Sequence, residues 1–169
     1  MKSISNAVPS WQPKKLKIII ALGNPEEKYA NTYHNVGFLA VHFLEKKINP
    51  KTKLIFSETS MNLSGNFVKK TLVYFKNKPE QLVIAHDDAD LLVGSYKLSF
   101  DKNSGGHKGV ESVIKSLKTK KFWRLRLGIR EPNEKKRKKA EDFVLNEINP
   151  SHKRILNKMF GEITEKFID

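Results

Sequence analysis

The sequence contains no cysteine. Disulfides, thiolate nucleophiles and thiolate metal sites are excluded together. No apolar run approaches the ~20 residues that a membrane-spanning helix needs. The opening stretch, Met1 to Pro13, lacks the apolar core of a secretory signal. A cytoplasmic protein without membrane contact is therefore expected. There is no GxSxG motif, which disfavours a serine nucleophile on a nucleophile elbow. The histidines (His34, His42, His86, His107 and His152) show no HExxH spacing, so neither metal nor cofactor is expected. Acidic residues are scarce: Lys and Arg number 32 against 18 Asp and Glu, a net charge of +14.

Such an excess of positive charge points to a polyanionic partner. The basic residues lie among aromatics and on strands rather than along one amphipathic helix, which favours nucleic acid over a membrane surface. The length suits one domain with a sizeable core, and no Pro/Gly/Ser-rich linker divides the chain.

Ile18-Ile19-Ile20 reads as a strand covered on both faces. Gly23-Asn24-Pro25 breaks it, and Met1 to Leu16 reads as a flexible extension before it. A helix follows, with Asn35 as its cap and Val36, Leu39, Ala40, Phe43 and Leu44 at helical spacing. Lys53 to Phe56 is a short strand. A helix after Asn62 carries Leu63, Phe67, Leu72 and Phe75. Leu82 to His86 is a second buried strand, ending at Asp87-Asp88-Ala89-Asp90. Tyr96, Leu98 and Phe100 alternate with polar residues, as in a strand. A glycine-rich turn, Asn103 to Gly109, precedes a helix. Phe122 to Ile129 forms a strand with Arg124 and Arg126 on one face. Glu131 to Lys139 is highly charged and reads as mobile. The last helix carries Ile155, Met159, Ile163 and Phe167. Strands alternating with helices predict an α/β sheet with helices on both faces.

Polar groups collect where such sheets bind ligands, beyond the strands' C-terminal ends: Asn24 with His34, then Asn62, then Asp87, with His107 in the glycine-rich turn. Histidine suits general-base work near neutral pH. A carboxylate fixes its tautomer and stabilises its cation. Asparagine amides grip amides or oxyanions without charge.

The stretches LGNPEEKYANTYHNVGF, SMNLSG, HDDADLLVG, SGGHKGVESVI and FWRLRLGI, in this order, resemble the bacterial-type peptidyl-tRNA hydrolase family. The resemblance runs from Lys17 to about Leu145, and FVLNEINP matches the family's tail. It implies a three-layer α/β sandwich over residues 17–169, with a twisted, mixed, mostly parallel sheet. It also implies a monomer that cleaves the ester between peptide and tRNA without a metal. His34 stands at the family's catalytic histidine and Asp87 at its orienting carboxylate. Asn24 and Asn62 match the asparagines that hold the substrate. Tyr29, His107 and Arg126 match further substrate-binding positions, with Arg126 on tRNA phosphate.

The chain departs from the pattern in three places. Lys108 replaces an asparagine of the substrate grip. Ser99 stands where a phosphate-binding lysine is expected, with Lys97 and Lys102 nearby. The segment between His34 and Met61 is shorter by about twenty residues, the size of a two-strand hairpin, which predicts a sheet smaller by two strands. The alternative reading is a non-catalytic RNA-binding relative on the same scaffold. Retention of His34 and Asp87 favours the enzyme.

Overall fold

The computed structural model describes residues 9–48, 50–133 and 137–168. Its elements, in chain order, are β1 (Ile18–Ala21), α1 (Val36–Leu44), β2 (Lys53–Phe56), α2 (Ser64–Tyr74), β3 (Leu82–Leu92), β4 (Tyr96–Phe100), α3 (Lys108–Leu117), β5 (Trp123–Arg130) and α4 (Pro150–Phe167). The sheet order is β2-β1-β3-β5-β4. Neighbours are parallel except β4, which runs antiparallel to β5. β2 alone spans the shortened segment, as an edge strand.

Strand alternation sorts the core into two layers. Ile19, Ala21, Val83, Ala85, Leu125 and Leu127 pack with α1 and α4. Ile18, Ile20, Leu82 and Ile84 pack with α2 and α3. Ile18, Ile19 and Ile20 are fully buried, each contributing about 1.5–3 kcal/mol relative to exposure. The contiguous isoleucines of β1 thus serve both layers, which is why alternation is absent from its sequence.

Close approach of helix to sheet brings the polar loops together. A Cβ on Gly37 would stand 2.6 Å from Ala85 O and 2.8 Å from Leu22 O, so only glycine lets the start of α1 press onto β1 and β3. On the other face, a Cβ on Gly65 would stand 2.0 Å from Ser112 O. Glycine there allows α2 and α3 to touch backbone to backbone.

Several sequence expectations need correction. Residues 1–8 of the extension lie outside the described residues, but from Trp11 onward it is docked: the Trp11 indole meets Trp123 and Phe167 edge-on at 5.0 and 4.9 Å, and Nε1–H donates to Lys166 O. An exposed tryptophan would leave a large apolar surface in water, and β5 and α4 offer it aromatic partners. The strand expected to end at His86 continues to Leu92, because β5 is long enough to pair with it through Asp88 opposite Gly128. Of the stretch 131–139 that reads as mobile, residues 137–139 line a cavity, and residues 134–136 lie outside the described residues. In α4, Leu156 takes the core position expected of Ile155, which is exposed.

Candidate active site

A cavity of about 710 Å³ opens over the C-terminal ends of β1 and β2 and the extended half of β3. Asn24, His34, Asn62, Asp87, His107 and Lys108 all line it. The sequence places them on four separate stretches; the parallel order of β2, β1 and β3 is what makes them neighbours.

Asp87 is 2% exposed, and its Oδ1 faces two imidazoles. His34 Nδ1 lies 2.9 Å away and His107 Nε2 lies 2.8 Å away. Burial by itself pushes the carboxyl pKa up more than any other single influence. The charge and hydrogen bond of His107, joined by those of His34, together outweigh it and hold the pKa below the ordinary carboxylate value. Asp87 is therefore ionised, and an ionised carboxylate only accepts. Both imidazoles must donate to it.

The tautomers follow. Val110 N–H donates to His107 Nδ1 at 3.2 Å, which caps α3. Nδ1 thus holds a lone pair and Nε2 holds the proton. The ligand atoms of His34, Asp87 and His107 lie within 4.8 Å of one another, close enough for a metal. A metal would need the lone pair on His107 Nε2, and the α3 cap disfavours that tautomer. The cluster is built for protons. His34 donates through Nδ1, which leaves its Nε2 lone pair free as a base.

The asparagines are fixed in different ways. Asn24 N–H donates to Asn35 Oδ1, and Asn35 Nδ2–H donates back to Asn24 O, both at 2.8 Å. Asn35 stands at the α1 cap position without a side-chain cap bond; its expected role is corrected, because its amide pins Asn24 instead. Met61 N–H donates to Asn24 Oδ1 at 3.2 Å, so the Asn24 amide presents its NH₂ as the half available to a ligand. Ser112 Oγ–H donates to Asn62 O at 2.8 Å, and Gly65 N–H donates to Ser112 Oγ at 3.0 Å. α3 thereby holds the turn that carries Asn62.

His86 packs edge-on to His107, with ring centroids 4.7 Å apart. Its Nδ1–H donates to Asp87 O at 2.6 Å, and its Nε2 has no partner among the described residues. Burial, then the charges of His107 and Arg124, hold it well below the ordinary imidazole value.

Two sequence-predicted residues are not brought to the cavity. Tyr29 lies on a short 3₁₀ turn with Lys28 Nζ over its ring, and it is absent from the cavity lining. Arg126 lies on β5, its Nε 2.6 Å from Asp88 Oδ2. Beside it Arg124 is almost fully buried, donates to Asn103 O, and has its pKa lowered to about 10 by burial and by Arg126. Sequence reasoning missed Asn35, Ser112 and Met61 as supports. It also missed the wall formed by Arg137 to Lys139, Val144 and Leu145. Nothing in local periodicity marks these, because their partners are distant in the chain.

Fold and site together define a class: α/β-sandwich enzymes with a histidine–carboxylate pair beyond the C-terminal ends of the parallel strands. A family model for peptidyl-tRNA hydrolase matches residues 18–54 and 42–168, its two pieces meeting in the shortened segment. The chain is 37% identical to a peptidyl-tRNA hydrolase of Sulfurihydrogenibium sp., across 89% of this chain and 88% of that protein. It is 35% identical to one of Thermodesulfovibrio yellowstonii, across 89% and 90%. The crystal structure of peptidyl-tRNA hydrolase from Acinetobacter baumannii superposes with a TM-score of 0.80 at 28% identity, covering 90% of this chain and 87% of that one. The chain belongs to the peptidyl-tRNA hydrolase family.

Proposed function

We propose that this protein hydrolyses the ester joining a peptide, or an N-blocked amino acid, to the 3′ ribose of tRNA, with His34 as general base. The observation that carries the reading is the His34–Asp87 pair, with the free Nε2 of His34 in the cavity that Asn24 and Asn62 share. His34 Nε2 takes a proton from water as the water oxygen attacks the ester carbonyl. Asp87 stabilises the imidazolium that forms. The Asn62 amide, which makes no hydrogen bond to a described residue, donates to the developing oxyanion, and the Asn24 NH₂ holds a substrate carbonyl. Collapse of the intermediate expels the ribose oxygen, which takes the proton back from His34.

The tRNA is gripped at the cavity wall and on the sheet beside it. Lys108 at the start of α3 stands at the cavity lining and meets a phosphate rather than replacing the amide of an asparagine. Arg126 contacts tRNA phosphate from the sheet, at the cost of its pairing with Asp88. We assign no role at the reacting centre to Tyr29. His107 acts on Asp87 rather than on substrate. The protein works as a monomer in the cytoplasm, with 17–169 as one catalytic domain. No helix among the described residues is long and apolar enough to cross a membrane.

The test is release of peptide from N-acetyl-aminoacyl-tRNA. His34→Ala is expected to lower turnover by about 10²–10⁴-fold while tRNA binding persists. Equal turnover by variant and wild type would remove His34 from the mechanism. Absence of turnover in both, with salt-sensitive tRNA binding, would instead favour a non-catalytic RNA binder.

A further inference from the structure

The residue next to the catalytic base belongs to a second relay, which the mechanism above does not use. Tyr33 is 8% exposed, and its hydroxyl lies 2.7 Å from His152 Nδ1. His152 Nε2 lies 3.0 Å from Glu131 Oε2. The carboxylate only accepts, so Nε2 carries the proton and Nδ1 offers its lone pair. Tyr33 O–H therefore donates to Nδ1, and its oxygen accepts Asn149 N–H at 3.4 Å. The tyrosine ring also packs edge-on against Phe143 and His152. The chain thus gathers the turn before α1, the residue after β5 and the first turn of α4 onto one hydroxyl.

The backbone around Tyr33 shows what the relay holds. His34 N–H donates to Val144 O at 2.8 Å, Tyr33 N–H to Asn146 O at 3.3 Å and Ile148 N–H to Asn31 O at 2.8 Å. Thr32 and Glu147 form an antiparallel bridge. The segment bearing His34 and the segment supplying Val144 and Leu145 to the cavity wall are one two-stranded patch. Tyr33 is its buried pin. The His34 ring has a single side-chain hydrogen bond, to Asp87, and packs against the His107 ring at 5.3 Å between centroids; the backbone that carries it is placed by this patch.

We propose that Tyr33 and His152 are positioning residues for the hydrolysis: the Glu131–His152–Tyr33 relay sets where His34 stands relative to Asp87 and to the cavity wall. The proposal rests on the reading of His34 as the base. Loss of the tyrosine hydroxyl strands a buried acceptor on His152 and a donor on Asn149. The patch must then shift to solvate them, and displacement of a catalytic group by about 1 Å costs up to ~10²-fold in rate.

The experiment compares Tyr33→Phe, His152→Ala and His152→Asn, by steady-state turnover of N-acetyl-aminoacyl-tRNA and by the ring NMR signals of His34 in the free enzyme. Tyr33→Phe keeps the ring and removes only the hydroxyl. In His152→Asn the amide oxygen takes the place of Nδ1 and accepts from Tyr33. Tyr33→Phe and His152→Ala are expected to lower kcat about tenfold with KM within about twofold, and to move the His34 signals. His152→Asn is expected to restore most of both. Unchanged kcat and unmoved His34 signals in folded Tyr33→Phe, with only a lower melting temperature, would overturn the proposal and leave the relay a structural one. The ring signals need no turnover, so a wild type without hydrolysis would defeat the catalytic reading while the signals still decide whether the relay places His34.

Discussion

One oxygen, Asp87 Oδ1, accepts hydrogen bonds from two imidazoles whose other nitrogens do different work. The second nitrogen of His107 is occupied by the cap of α3, and that of His34 is open to the cavity. The same residue type thus becomes a fixed donor in one place and a base in the other, through its second hydrogen bond. His107→Ala would lose the cap, worth about 1 kcal/mol, and lower the melting temperature by roughly 2–4 °C. It would also leave Asp87 with one donor. His107→Asn, which caps through its amide oxygen, is expected to recover most of the thermal loss. Calorimetry of both variants checks this. If Asn melts as low as Ala, the cap is not what His107 contributes to stability.

At the scale of elements, the contact between α2 and α3 places the second asparagine. Ser112 on α3 joins Gly65 N–H to Asn62 O, and the helix backbones touch at Gly65. Gly65→Ala must push the helices apart, because its new carbon meets backbone rather than a flexible side-chain tip. The expected cost is about 1–3 kcal/mol in stability. Asn62 moves with the start of α2, so kcat should fall further than a stability loss alone would explain at temperatures where the variant is folded. Turnover measured well below its melting point checks this; wild-type kcat there would mean that Asn62 does not depend on the helix contact. A single edge strand, β2, leads into this turn, and the shortened segment still delivers Asn62 to the cavity because β2 pairs in register with β1.

At the scale of the whole molecule, two buried groups tie stability to pH. Asp87 has its pKa lowered in the folded state, so its contribution is fully present above the unfolded value of 3.8 and is lost as pH falls from there through the depressed folded value. His86 is held neutral by burial and by the neighbouring charges of His107 and Arg124. An unfolded chain takes up its proton below about pH 6.5 and the folded one does not, so stability declines as pH drops beneath that value. His86→Asn, whose amide N–H stands where Nδ1–H donates to Asp87 O and does not titrate, is expected to flatten the decline between about pH 6.5 and 5. Urea unfolding at a series of pH values measures it; an unchanged slope would mean that His86 is protonated in the folded state.

The sequence by itself determined the strands β1, β2, β4 and β5, the four helices and the polar residues Asn24, His34, Asn62 and Asp87 as candidates. Each of these rests on local chemistry: β-branched runs, helical spacing, chain-breaking Gly-Asn-Pro, and side chains able to move protons or hold amides. Its charge excess pointed to a polyanion for the same reason, since charge is additive along the chain. Tertiary structure alone decided the rest. The continuation of β3 through Asp87 depended on the length of its partner β5. The turn of Asn35 inward to Asn24, the tautomer of His107 and the Tyr33–His152–Glu131 relay each need a partner far away in sequence. Docking of Trp11 and the wall from Arg137 to Leu145 likewise required surfaces assembled from β3, β5 and α4. Local preference fixes which groups a segment carries; only packing fixes which lone pair or proton each one has left to use.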